Sequence, residues 1–221
     1  MCRRISQHYT WREVDELYCL GAARKIKPRY NISPTDMVDA VAALPTGNAL
    51  IPIRWGFLPP WWRRTARQVP SNFFNTPAES AAENPIFRSG FRRNRCIIPV
   101  SGYFEWKETP NGKQPYFVGA ADGGVLSVAG MWDAWTEVDS DDVVSSCTMI
   151  VTNTRRFPHA VHSSTPALLE RADFVSWLNG TAGPELLKPV GKGCLRTWPV
   201  SKRVNRADAC NDPTLIDEIA A

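Results

Sequence analysis

Short apolar runs bounded by turn-forming residues pattern most of the chain, and only a few stretches carry the 3.6-residue spacing of an amphipathic helix. Met37 to Leu44 and Ala49 to Trp55 flank Thr46-Gly47-Asn48, which predicts a hairpin. Cys96 to Val100 reads as a buried strand. It runs on into Ser101-Gly102-Tyr103-Phe104-Glu105-Trp106-Lys107, where apolar and polar residues alternate, and Asn111-Gly112 supplies the next hairpin turn. Pro115 to Ala120, Val125 to Trp132 and Val143 to Thr152 continue as strands. Thr10 with Glu13 three residues on is a capping box that starts a helix through about Leu20, with Gly21 placed to end it. Further short helices are expected at Ala78 to Asn84, Arg171 to Leu178 and Thr214 to Ala220. Arg29 to Pro34 is too rich in turn formers to be regular, and Gly90 to Arg95 reads as a basic connection. Gly56 to Arg64, with two prolines and the pair Trp61-Trp62, reads as a loop that displays aromatics. Many strands and few helices predict an α+β fold: one domain over residues 1–221, built on a curved, barrel-like, mainly antiparallel sheet flanked by a few short helices.

Composition narrows the class. At 221 residues with 43% hydrophobic content and nine Trp, the chain can build a large core and keep aromatics for a surface, which excludes a disordered chain. The net charge of +4 is unevenly spread, with Arg63, Arg64 and Arg67 in one cluster and Arg88, Arg92, Arg93 and Arg95 in another. Such clusters can meet phosphates. The six cysteines include no C-x-x-C pair and no histidine at ligand spacing, so no metal and no cofactor is expected. The absence of a signal-like apolar stretch and of an 18-residue apolar run predicts a cytoplasmic protein with reduced thiols and no membrane association.

Cys2 stands directly behind Met1. Once Met1 is removed, the chain begins with an α-amine and a thiol on the same residue, a 1,2-aminothiol. The two groups ordinarily titrate near about 8 and 8.5, so both offer a nucleophilic form near neutral pH. An aldehyde condenses with the amine to an imine, and the thiol closes on the imine carbon to give a thiazolidine. Glu105 alternates away from Phe104 and Trp106. Facing a pocket it would be a carboxyl of raised pKa suited to proton transfer; facing solvent, as the local sequence alone favours, it is an ordinary surface carboxylate. His162 stands in a polar loop after a hydrophobic strand, where catalytic side chains are often displayed, with His159 as its local competitor. Asn75, behind Phe73-Phe74, has the spacing of a helix cap and the amide to hold an oxyanion or a sugar hydroxyl.

Taken together these residues resemble the SRAP (SOS response-associated peptidase) family nearly end to end. The resemblance rests on Cys2 with Arg4, Arg29-Tyr30-Asn31-Ile32-Ser33-Pro34, Arg54-Trp55-Gly56-Phe57-Leu58-Pro59 and the Asn75 to Glu79 spacing. It continues through Arg95 to Pro99, Ser101 to Lys107, His162 to Pro166, and Trp198-Pro199-Val200-Ser201 followed by Val204-Asn205. It implies a protein that processes abasic sites in single-stranded DNA. In that reading Cys2 captures the ring-opened aldehyde in a covalent thiazolidine, Asn75 holds the amine or a sugar oxygen, Glu105 shuttles protons and His162 acts as acid and base. Arg4, Asn31, Pro34, Trp61 and Trp62 would contact the DNA, the two Trp by stacking on or wedging between bases. The chain would act as a monomer, and cleavage of the strand through the imine or release of the crosslink belongs to the same chemistry.

The chain departs from the family pattern at several places. Arg3 follows the cysteine where glycine is usual, Pro77 stands where the pattern has arginine, and Ser163 and Ser164 follow His162 in place of a polar residue and an arginine. Every phosphate left without its arginine would lower DNA affinity and reduce the salt slope by about one charge. Two readings of other classes stand beside the first: a non-catalytic single-strand binder, and a cysteine peptidase acting on its own N-terminus. The peptidase needs a thiolate and a base but has no use for a free α-amine.

Overall fold

The expected hairpin over Met37 to Trp55 is part of a ring of strands in a computed structural model of the chain, which describes residues 2–21, 23–110, 112–138, 140–153, 164–189, 191, 193–206 and 211–220. In chain order the strands are β1 (Ile5–Gln7), β2 (Arg29–Ile32), β3 (Met37–Leu44), β4 (Gly47–Trp55), β5 (Asn75–Pro77), β6 (Arg95–Val100), β7 (Gly102–Thr109), β8 (Gly112–Ala120), β9 (Leu126–Thr136), β10 (Val143–Asn153), β11 (Ser164–Pro166) and β12 (Leu195–Pro199). Among the described residues three α-helices join them: α1 (Trp11–Tyr18), α2 (Arg88–Arg93) and α3 (Phe174–Leu178). Strands β10, β4, β3, β6 and β9 follow one another by hydrogen bonding, and β9 pairs again with β10, so the ring closes. Every pairing in the ring is antiparallel except β10 with β4. Strands β5 and β11 extend the two edges of β10 beyond the ring. A second sheet, in the order β12-β8-β7-β1-β2, packs beside it. The α+β, barrel-like, mainly antiparallel architecture expected from the sequence is the one observed.

Period-two alternation gives each barrel strand two apolar faces. Val38, Ala40, Ile53, Trp55, Cys96, Ile98, Val128, Cys147 and Met149 form one cluster, joined by Ile5, Ile32 and Tyr103 of the second sheet. The intervening Val41, Leu50, Ile97, Ala129, Met131 and Ile150 form another, which α1, α2, α3 and the 57–87 segment cover. A third, smaller cluster joins Phe104 and Phe117 to Val200, Val204 and Leu215 of the C-terminal segment. No helix among the described residues is long and apolar enough to cross a membrane.

Several local expectations are corrected. Helix α1 has the capping box at Thr10 and Glu13, but it ends at Tyr18, with Cys19 rather than Gly21 in the left-handed conformation (φ 53°). Arg29–Ile32 is a strand, because its polar side chains find partners outside the segment: Arg29 reaches Gln7 and Asp39, and Asn31 reaches Arg4 and the Arg206 carbonyl. Residues 78–84 make turns, mostly with i to i+3 bonds, instead of a helix, and the Ala78 amide continues the β5 pairing by donating to the Val151 carbonyl. The basic connection over Gly90 to Arg95 is largely helix α2, anchored by buried Gly90 and Phe91. Where a last helix over Thr214 to Ala220 is expected, Pro213–Ile216 winds as a 3-10 turn and residues 217–220 do not continue it.

Gly102 opens β7 where Phe117 crosses it. A Cβ there would lie 2.3 Å from the Phe117 ring and 2.6 Å from the Val118 carbonyl oxygen. Gly102→Ala should therefore destabilise the protein by about 2–3 kcal/mol, read as a lowered urea midpoint at unchanged slope; an unchanged midpoint would show that β7 and β8 yield at this point.

Candidate functional site

Cys2 is wholly buried in the cluster that lines the barrel interior. Three elements hold it there. Strand β1 pairs with β2 through Ile5 and Ile32 and with β7 through Ile5 and Tyr103, which fixes the chain three residues downstream. The Arg4 carbonyl accepts from the Phe104 amide at 3.0 Å and from the Cys2 thiol at 3.7 Å. The Asn75 side chain, buried on β5, donates its Nδ2 to the Cys2 carbonyl at 2.6 Å. Asn75 is thus a strand residue that grips the chain terminus, not a helix cap. Its Oδ1 is buried with no hydrogen-bond partner among the described residues, which leaves an acceptor beside Cys2.

The position of Asn75 follows from the Arg54-Trp55-Gly56 motif. Trp55 Nε1 donates to the Phe74 carbonyl at 2.9 Å, and the Met149 amide donates to the same oxygen. Arg54 reaches over Gly56 to the Gly56 and Ala66 carbonyls. Gly56 sits at φ +135°, and a Cβ there would meet Arg54 Nη1 at 2.7 Å, so the residue must be glycine for the loop to turn back toward β5.

Glu105 faces inward, contrary to the lean of its local sequence. It shares the face of β7 that carries buried Tyr103, and both its carboxylate oxygens are buried. The alternation is the one the sequence predicts; its sense is reversed because Phe104 and Trp106 point instead to the cluster built by the C-terminal segment. Burial raises the Glu105 carboxyl from 4.5 to about 7. Burial likewise pushes the Cys2 thiol well above its ordinary value, and the nearby Glu105 charge adds to the shift. Tyr103 is raised by burial, then by Glu105 and Cys2. Three acids that influence one another line the same small apolar space.

At the rim, Arg4 Nη1 donates to Asn31 Oδ1 at 2.8 Å, and Asn31 Nδ2 donates to the Arg206 carbonyl at 3.1 Å. Arg3 is exposed, so its side chain does not fill the interior around Cys2. Pro34 is half-buried in the turn after β2. Trp61 is 52% exposed, whereas Trp62 packs edge-on against Phe73, and its carbonyl accepts from Trp135 Nε1 at 2.8 Å. The two Trp are therefore not an exposed tandem. Trp61 is the exposed member of the pair, and Trp62 is partly buried beside it. Arg95 also leaves the surface: its guanidinium lies between the Phe91 and Trp177 rings, 4.4 and 4.6 Å from their centroids. Pro77 is exposed on β5 and Ser164 is half-buried on β11. His162 and Ser163 lie outside the described residues. Reasoning from sequence missed Thr152 and Thr165, paired across β10 and β11, whose buried hydroxyls have no hydrogen-bond partner among the described residues. Threonine in a strand gives no signal that separates an orphaned buried hydroxyl from ordinary β-propensity. No group of three or more His, Cys, Asp or Glu among the described residues could hold a metal ion.

The family model for SOS response associated peptidase (SRAP) matches residues 1–207. The abasic site processing protein YoqW of Bacillus subtilis is 28% identical over 196 residues, covering 86% of each chain. The abasic site processing protein YedK of Escherichia coli is 26% identical over 216 residues, covering 92% of this chain and 94% of its own. A crystal structure of a protein from Bacteroides thetaiotaomicron superposes with a TM-score of 0.88 over 99% of this chain and 100% of its own, at 22% identity, a likeness of fold. With the match spanning nearly the whole sequence, the chain belongs to the SOS response associated peptidase (SRAP) family.

Proposed function

We propose that this protein captures abasic sites in single-stranded DNA as a thiazolidine on Cys2, after removal of Met1. The observation that carries the reading is the grip of Asn75 on the Cys2 carbonyl in an apolar interior shared with the raised carboxyl of Glu105. The names of the relatives, abasic site processing proteins, agree with it.

The chemistry is constrained by protonation. The α-amine adds to the C1′ aldehyde of the ring-opened sugar to give a carbinolamine, which must lose water to become the imine. That loss needs a proton donor. Glu105, with a pKa raised to about 7, holds its proton in a large share of molecules at neutral pH and can deliver it to the departing hydroxyl. The resulting carboxylate then takes the thiol proton as sulfur attacks the imine carbon, which closes the five-membered ring and returns Glu105 to its acid form. The spare Oδ1 of Asn75 is placed to accept from the amine or from a sugar hydroxyl. His162 would act on the opened sugar hydroxyl. Arg4, steadied by Asn31, would hold a phosphate, and Trp61 would stack on a base.

A peptidase reading fares worse on the same facts. Its nucleophile is a thiolate, and burial together with Glu105 disfavours the thiolate of Cys2.

Intact mass after incubation with an abasic oligonucleotide should show a denaturant-stable adduct that needs no borohydride; Cys2→Ser should trap only with borohydride, as an imine, and absence of any wild-type adduct would refute the capture. Alkylation followed by peptide mass should modify Cys2 at least about tenfold more slowly than exposed Cys19 and Cys194, since the thiolate fraction sets the rate; faster modification of Cys2 would restore the peptidase. Glu105→Gln should slow adduct formation about 100-fold and remove the fall in rate above about pH 7. The same change should affect stability with a defined sign. A carboxyl whose pKa is higher folded than unfolded loses stability as pH rises from 4.5 through about 7. The glutamine variant should therefore be the more stable protein by about 2 kcal/mol near pH 8 and equal to wild type near pH 4, checked by urea denaturation at both.

A further inference from the structure

Residues 56–95 hold seven arginines and only two glutamates, a net +5, while the whole chain carries +4. The rest of the molecule is slightly acidic, so the positive excess belongs to this one segment. Its two arginine-bearing stretches, 61–67 and 88–93, pack on the outer apolar cluster, whereas Asn75 between them reaches the cluster that contains Cys2. Arg95 is consumed in its stack between Phe91 and Trp177. The others are exposed: Arg63, Arg64 and Arg67 beside the Trp61 loop, and Arg88, Arg92 and Arg93 on α2.

The arginines of α2 are not explained by the helix. Arg88 stands in its first turn, where a cation opposes the helix dipole, and Arg88 and Arg92 are an i, i+4 pair of like charge, which destabilises a helix. Neither guanidinium has a hydrogen-bond or ion-pair partner among the described residues. Arg93, by contrast, is steadied by Ser89 Oγ at 2.7 Å and lies near Asp133. Arg88, Ser89, Arg92 and Arg93 line an open concavity of about 400 Å³. The backbone beneath is closely packed: Gly90 sits so near β9 that a Cβ would meet the Trp132 carbonyl oxygen at 3.3 Å and Phe57 at 3.4 Å.

The concavity is tied to the Trp61 loop by short links. Phe87, just before α2, packs on Phe57 and Phe73, and Phe73 packs on Trp62. On β9, Asp133 lies beside Arg93, and Trp135 two residues on donates to the Trp62 carbonyl. Two residues of strand span about 7 Å. The Trp61 loop, with Arg63 and Arg64 beside it in sequence, and the α2 concavity thus stand on the same packed elements.

We infer that the α2 concavity formed by Arg88, Ser89, Arg92 and Arg93 is a second phosphodiester-binding site, which holds nucleic-acid backbone flanking the strand engaged at Trp61. This rests on the reading of DNA as substrate, and the flank it holds is single-stranded or duplex. The test uses the full chain and undamaged oligonucleotides, so that it does not depend on adduct formation. With a single strand of about 20 nucleotides, Arg88→Ala with Arg92→Ala should weaken binding about tenfold at low salt and reduce the slope of log Kd against log salt by about 1.4, at roughly 0.7 per phosphate; a duplex flank gives about 1.8 instead. Arg88→Lys with Arg92→Lys, which keeps the charge, should retain the slope. An unchanged slope for the alanine variant on both the single strand and the strand with a duplex flank, or an equal loss of slope in the lysine variant, would overturn the site. If wild type fails to form an adduct with abasic DNA and the slope still falls as stated, the binding site stands and the covalent capture does not.

Discussion

A buried amide holds the N-terminal segment in place. Gln7 Nε2 donates to the Asp39 carbonyl at 2.9 Å and the Pro99 carbonyl at 2.7 Å, while its Oε1 accepts from the Asp39 amide at 2.9 Å and from Arg29 Nη2 at 2.6 Å. All four hydrogen-bonding positions of the side chain are used, with its residue almost wholly buried. The Asp39 carboxylate in turn takes Arg24 and Arg29. The knot joins β1 to barrel strands β3 and β6 and to β2 in one place. A chain terminus is ordinarily the least ordered part of a domain, and fixing each backbone residue costs about 1–2 kcal/mol. β1 has only three residues to offset that cost by pairing, so a fully satisfied buried amide, expensive to disturb because any lost partner leaves an orphan in a low dielectric, makes the difference. Cys2 can be held at a defined place because Gln7 is.

Once the terminus is fixed, its surroundings determine what the thiol can do. An apolar pocket penalises charge, so Cys2, Tyr103 and Glu105 all favour their protonated forms, and ionising any one raises the cost for the others. Of the three, Glu105 has by far the lowest intrinsic pKa and is the one whose proton moves near neutral pH. In the proposed reaction this sets the order of events: amine first, as the nucleophile whose neutral form carries no charge to bury, and sulfur second, once an acceptor for its proton has formed. The same pocket that suppresses thiolate chemistry suits ring closure.

Much of this is legible in the sequence, and what is not has particular causes. The α1 capping box, the β3–β4 hairpin and the strands around Cys96, Val128 and Cys147 depend on near neighbours and follow from the alternation. β2 does not, because its Arg29 and Asn31 gain strand geometry only from Asp39, Arg4 and the Arg206 carbonyl. Asn75 reads as a cap since nothing local reveals a partner 73 residues away at Cys2. The facing of Glu105 is settled by Val200, Val204 and Leu215, far beyond it along the chain. α2 is hidden by its own arginines, which mask a helix whose one buried edge is Gly90 and Phe91.

Those arginines also show how the barrel separates two tasks. A covalent site needs a dry interior, where a carboxyl can hold its proton to neutral pH and a thiol stays neutral; an arginine brought close would lower both pKa values and spoil the arrangement. Holding a polyanion needs the opposite, exposed cations free of carboxylate partners. Pro77 and Ser164, where the family pattern has arginines, sit on β5 and β11, the two strands that flank β10 beside the pocket. Positive charge is absent from those two strands and abundant on 61–67 and 88–93, which pack on the outer apolar cluster. The single motif Arg54-Trp55-Gly56 serves both sides: Trp55 fixes the Phe74 carbonyl and so places Asn75 beside Cys2, while Arg54 fixes the Ala66 carbonyl and so holds the loop that bears Trp61 and the first arginine cluster. Chemistry and grip are thereby kept electrostatically apart yet geometrically in step.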